Sequence, residues 1–364
     1  MISPTIQRDI AALPKERAAE LGAIRPAGNH ALPGIDYLRA GFMLSVVFGH
    51  ANFAIHWATV LAAKTGPGPN LADVFYFNVQ STAVPTFILV SILLFCLKPI
   101  TFARTRSRLV RLGYLYLFWV CAWMYYTKPV IEWNVPWMTE FLLRGGGWQF
   151  YFIPVLILMT LQSALMSRLT RWGIHAAFLA SVLVLFATEW RATSDFRWTR
   201  QPYYWLPTCF VLLPCFAQWL VSQLPTLVAD RAKRFRLAGL LALAALVAAV
   251  VEWRLQAPAE LVDEARKWVP KHARFSIQFE SLAIVVLSLG IRRQPGPVVA
   301  YLARNALGIY CLHGFVIGGF LKASQQLLGG KMPALVIPVA CAGVVVACSL
   351  TAEFLRRALR HRLV

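Results

Sequence analysis

The sequence predicts an all-α fold, a polytopic membrane helix bundle of about ten transmembrane helices with N-in and C-in topology. Three observations predict it. The 364 residues are 58% hydrophobic and only 14% charged, with a mean hydropathy of +0.58, whereas a soluble domain carries roughly a quarter charged residues. Apolar segments of about 17–25 residues, the length that crosses a hydrocarbon core, recur along the whole chain. The basic residues collect in alternate loops between those segments.

The elements follow in order. Residues 1–33 are polar and mixed in charge, without the apolar core of a signal peptide. They read as a cytoplasmic tail with a short helix near residues 5–22. Spans are expected at 35–62, 71–97, 109–127, 148–167, 173–190, 204–222, 237–253, 275–291, 301–321 and 333–353. Asn78, Gln80, Ser81, Thr82 and Pro85 interrupt the second. Pro207 and Pro214 predict a kink in the sixth. Two outer loops are long, 128–147 with its tryptophans and glycine run, and 254–274, which has the composition of a surface helix. Residues 34–355 make one membrane domain, and residues 356–364 a basic cytoplasmic tail.

Charge sets the orientation. With the N-terminus inside, the inner segments hold 22 of the 36 Lys and Arg and the outer loops 13, leaving Arg39 within a span. Ten of the 16 acidic residues fall outside. The net charge of +20 therefore follows topology and does not indicate nucleic acid. The seven cysteines fall in apolar runs with no C-x-x-C and no metal-ligand spacing, and read as small buried hydrophobes. No metal site is expected.

The chain is organised around residues 31–63, where Arg39 and His50 lie inside an apolar run. Ionisable groups at membrane depth cost a few kcal/mol and generally face a bundle interior or a wet cavity. Eleven helical steps of about 100° come within about 20° of three full turns, so the two residues share a face, about 16 Å apart along the axis. His50 can be a packing histidine bonded to a neighbouring helix, or a general base, the commonest role of a neutral histidine. Asn52 and His56 make its surroundings polar. Arg39, one turn after Asp36, either snorkels to the headgroups, pairs with Asp36, or forms an anion site at a cytoplasmic mouth. Arg104, Arg106, Arg108 and Arg111 read mainly as a topology signal. Arg108 and Arg111, three residues apart on one helix face, can also clamp phosphates there.

His313 sits about 12 residues into an outward-running helix, at a depth of about 18 Å that matches His50. Asn305 and Tyr310 precede it. A glycine-lined helix contact and a site role stand equally for it. Glu280, with Ser276 and Gln278 near the outer end of the eighth span, is either interfacial or a ligand for a polar acceptor. Glu353 reads as interfacial. Trp148, Tyr151 and Phe152 open the fourth helix after Gly145, Gly146 and Gly147.

These residues carry a resemblance. IDYLRAGFMLSVVFGH, with an arginine and a histidine separated by ten residues, resembles the first helix of the acyltransferase 3 family. Arg108 and Arg111 resemble that family's arginine pair on the third helix. WQFYFIPVLILM resembles its aromatic opening of the fourth helix, and NALGIYCLHG its late segment ending in histidine. In the second helix VSILLF keeps Ser91 and lacks the family's glycine. The resemblance, over about residues 33–355, implies an integral enzyme of the bacterial cytoplasmic (inner) membrane. Such an enzyme moves acetyl or succinyl groups from cytoplasmic acyl-CoA, a co-substrate and not a bound cofactor, to a hydroxyl of a cell-envelope glycan or glycolipid. Its partners are then the lipid bilayer, acyl-CoA and the acceptor, with oligomerisation left open. It implies catalytic roles for His50 as general base and His313 in orienting the acceptor or stabilising an oxyanion. Arg39, Arg108, Arg111, Asp36, Asn52, Tyr310 and Glu280 become substrate or acyl-CoA ligands. A secondary transporter or flippase of polar solutes would use the same buried Arg and His, but the sequence has no visible inverted repeat.

Overall fold

The computed structural model describes residues 32–51, 78–127, 150–199, 206–256 and 272–358. The expected N-terminal tail, loop 128–147, most of loop 254–274, the end of the C-terminal tail, and Asn52, His56 and Trp148 lie outside them. Among the described residues there are ten α-helices and no strand. They are α1 (Pro33–His50), α2 (Ala83–Cys96), α3 (Phe102–Thr127), α4 (Phe152–Met166), α5 (Arg171–Thr199), α6 (Leu212–Ala229), α7 (Arg231–Gln256), α8 (Phe275–Ser288), α9 (Pro297–Leu328) and α10 (Val336–Ala358). Each falls within or around one of the ten predicted segments.

Five stretches are long and apolar enough to cross a membrane, namely Trp172–Arg191, Pro207–Ala229, Arg231–Arg254, Pro297–Leu328 and Pro333–Ala358. Gln80–Cys96, Phe152–Met166 and Phe275–Ser288 are apolar but shorter. The helix ends differ from the apolar limits for a simple reason. Helix propensity continues through Lys, Arg, Glu and Gln after hydrophobicity stops. Thus α3 begins at Phe102, not residue 109, and α9 runs on to Leu328.

Two helices begin differently from expectation. Within the described part of the second span, the polar run forms a 3₁₀ turn, Gln80–Thr82, that leads into α2. Thr82 Oγ1 donates to the Asn78 carbonyl across it, at 3.0 Å. At the two prolines of the sixth span, where a kink is expected, a 3₁₀ turn passes into α6 through Val211, which keeps helical dihedrals. Pro207 opens a 3₁₀ turn (Pro207–Phe210), and Pro214 sits in the first turn of α6, where a missing N–H costs nothing.

α2 is central and touches α1, α4, α6 and α8. Its apolar residues anchor the main core with α3, α4, α6 and α8. A second core joins α1, α9 and α10 through Met43, Val47, Ile309, Val344 and neighbours. α5 and α7 turn Leu179, Leu183, Phe186, Leu240, Leu243 and Leu246 outward, a surface suited to lipid.

Gly34 fixes the base of α1. A Cβ there would overlap the Ser288 carbonyl oxygen at the end of α8, so only glycine lets the two backbones meet. Gly34→Ala is expected to cost about 1–3 kcal/mol, the usual range for overpacking. A thermal melt of the detergent-solubilised protein checks it, and an unchanged midpoint would mean that α1 and α8 do not touch there.

Candidate active site

The site is built from faces of α1, α2, α3, α4 and α9. Pro33 and Asp36 in the first turn suit the start of α1. One turn on, Arg39 Nη1 lies 3.5 Å from Asp36 Oδ1, with both side chains partly accessible. They open onto a cavity of about 600 Å³. Lys98, Arg104 and Arg111 join them in its lining, and the Arg111 charge reaches Arg39. Four cations face one carboxylate, which makes the mouth a place for an anion. The walls beyond are apolar, formed by Phe87, Val90, Leu94, Leu156 and Leu307. Phe152 and Tyr310 also line it, with ring centroids 5.0 Å apart.

Past Tyr310 stand the two histidines. The His313 ring is 5.8 Å from that of Tyr310 and 4.8 Å from that of His50, tilted 32°. The equal depths expected from the sequence thus become a ring-to-ring contact between the end of α1 and the middle of α9. His313 is fully buried and His50 half-buried. His313 Nδ1 lies 2.6 Å from the Tyr310 carbonyl oxygen. A carbonyl only accepts, so Nδ1 carries the hydrogen and Nε2 of the neutral ring holds a lone pair. That Nε2 is buried with no hydrogen-bond partner among the described residues.

Not every predicted residue reaches the cavity. Arg108 does not line it. Its Nη2 donates to Ser91 Oγ (2.8 Å) and its Nε to Thr160 Oγ1 (3.0 Å), tying α3 to α2 and α4. Phe95 lies under both Arg108 and Arg104, at 5.0 and 4.7 Å. Ser91, which the second helix keeps from the family pattern, is therefore the partner of Arg108. Glu280, half-buried on α8, stands beside Thr82 and Arg274 and away from the cavity lining. Arg274 is fully buried. Its Nη1 donates to Asn78 Oδ1 at 2.9 Å and lies 4.0 Å from Glu252 Oε2. Glu252 in turn accepts the Ser276 N–H at 2.9 Å and the Ser276 hydroxyl. Tyr151 also turns this way, with its hydroxyl 3.0 Å from His272 Nε2. Glu353 pairs with Arg356 and Arg357 at 2.6 and 2.8 Å.

Lys98 and Arg104 were missed as cavity residues. Arg104 lies seven residues, about two turns, before Arg111, and that spacing was the available signal. It also closes the end of α2, donating from Nη1 to the Lys98 carbonyl at 2.6 Å and the Pro99 carbonyl at 3.1 Å.

Residues 32–353 match the family model Acyl_transf_3, described as an acyltransferase domain. The chain belongs to the acyltransferase 3 family, and the family together with its apolar helices makes it a membrane acyltransferase. No curated protein and no solved structure matches it.

Proposed function

We propose that the protein is an O-acyltransferase of the bacterial inner membrane. It transfers an acyl group, acetyl or succinyl, from cytoplasmic acyl-CoA to a hydroxyl of a cell-envelope glycan or glycolipid. The ten helices span with both termini inside. One observation carries this reading. A cavity starts at the cationic mouth of Asp36, Arg39, Arg104 and Arg111 and extends to Tyr310, whose ring adjoins the His50–His313 pair.

The CoA phosphates bind at the mouth. The acyl-pantetheine arm follows the apolar wall, and the roughly 16 Å between Arg39 and His50 suits its length. His50 takes the proton of the acceptor hydroxyl as that oxygen attacks the thioester carbon. A C–O bond forms, the C–S bond breaks, and the departing thiolate recovers the proton. The neutral His313 tautomer holds a lone pair at Nε2, so it fits accepting a proton or orienting the hydroxyl. Donation to an oxyanion from Nε2 would first require its protonation.

Arg39→Leu and Arg111→Leu are each expected to raise the KM for acyl-CoA about 10–100-fold, the cost of one charge-assisted phosphate contact. Arg108→Leu should lower the melting temperature more than it changes that KM. Steady-state kinetics of thiol release checks all three, and an unchanged KM in both Arg39→Leu and Arg111→Leu would refute the mouth as donor site. Purified protein that moves a glycolipid across vesicles without consuming acyl-CoA would identify a flippase instead.

A further inference from the structure

Three helices present stripes to the cavity, and each continues outward past its lining. On α1 the stripe runs from Arg39 through Met43 and Val46 to His50. On α9 it runs from Ala306 through Tyr310 to His313. On α2, which runs the opposite way, it recedes from Leu94 through Ser91 and Phe87. Steps of three and four residues continue that register through Ala83 and Val84 to Gln80. Gln80 therefore ends the third stripe as the histidines end the other two.

Contacts agree with the register. The Gln80 Cδ and Oε1 atoms lie 3.8 Å from the place a Cβ would take on Gly49, the residue before His50. Gln80 is only 8% exposed, and its Oε1 is buried with no hydrogen-bond partner among the described residues. An amide oxygen left so costs about 1–3 kcal/mol, and polar side chains at membrane depth tend to face substrate pathways. The turn that carries Gln80 is held from the other side. Asn78 accepts from Arg274 and, at 3.4 Å, from the Trp253 indole N–H.

We infer that Gln80 is an acceptor-binding residue, whose carboxamide oxygen takes a hydrogen bond from a hydroxyl of a polyhydroxylated acceptor and sets that acceptor against His50 and His313. The inference rests on the acyltransferase reading above and adds the acceptor side of the site. A residue that touches the acceptor alone should matter for transfer to glycan and not for handling of the donor.

The test uses the full-length protein in two forms. Inverted inner-membrane vesicles of the producing cell, carrying their own envelope glycolipids, are given labelled acetyl-CoA or succinyl-CoA, and label in glycan is counted. Detergent-purified protein without acceptor is given the same donors, and slow release of free thiol to water is followed. Gln80→Met keeps the side-chain length and removes the polar end. Label in glycan is expected to fall about tenfold or more, while thiol release and the KM for acyl-CoA stay within twofold. The melting temperature should hold or rise, since a buried carboxamide oxygen with no partner among the described residues is removed. Wild-type labelling by Gln80→Met would overturn the inference. So would a proportionate loss of labelling and thiol release with a lower melting temperature, the mark of a structural role. Wild-type protein that releases thiol but labels no glycan would overturn the acceptor class. Wild-type vesicles that yield neither free thiol nor labelled glycan from either donor would overturn the acyl-CoA reading itself.

Discussion

His50→Ala is expected to lower acyl transfer about 10²–10⁴-fold, the usual contribution of a positioned general base. The KM for acyl-CoA should change little, because the cationic mouth lies about 16 Å away on the same helix. His313→Gln is expected to lose activity as well. Its ring sits 4.8 Å from His50 and carries a buried nitrogen with no partner among the described residues. If the two rings act on one proton, the double variant should be little worse than the poorer single variant, because groups acting as a unit are not additive. Transfer kinetics on protein shown to reach the membrane decides this. Full transfer by His50→Ala would remove it as base. Multiplicative losses in the double variant would mean that the histidines act independently.

Arg274→Leu is expected to be the most destabilising single change in the described structure. The guanidinium is fully buried, with Asn78 at 2.9 Å and Glu252 at 4.0 Å. Removing one partner of a buried pair costs about 3–5 kcal/mol, because the other charge remains buried and uncompensated. Glu252 keeps its bonds to Ser276 but loses its counter-charge. Adding Glu252→Gln to Arg274→Leu should restore part of the loss. Thermal unfolding and the fraction of protein inserted in membranes check both variants. A midpoint for Arg274→Leu close to wild type would show that the pair does not hold α7, α8 and the turn at Gln80 together.

The first helix was the most legible part of the chain. A period of 3.6 and an eleven-residue spacing put Arg39 and His50 on one face without reference to any contact. Counting residues from the helix starts placed His313 at the same depth, and the rings do meet. Other features depend on which helices are neighbours, and spacing along one helix does not contain that. Arg108 and Arg111 share a face by sequence, yet Ser91 and Thr160 draw Arg108 out of the cavity while Arg111 stays in it. Arg104 read as a topology charge because its role needs the carbonyls at the end of α2. Gln80 read as a blemish in an apolar run, since its neighbour Gly49 belongs to α1. Glu280 and Arg274 form a cluster only once α7 and α8 pair and Asn78 comes between them. Asn52 belongs to a segment outside the described residues, and its expected place beside His50 remains a proposal.

The rings of Phe152 and Tyr310 have a further consequence. On the proposed reading the protein takes substrates from two compartments, and such a protein must not become a wire for protons. A charge crossing the membrane carries about 2.3 kcal/mol per 100 mV, and two histidines in an open water column would conduct. The cavity lining includes Phe87, Phe152 and Tyr310 but not the histidines, which begin one ring further out. In the proposed cycle the thioester has to part this aromatic wall to arrive, and the wall closes behind it. In that proposed cycle the side chains that guide the acyl group would also insulate the membrane.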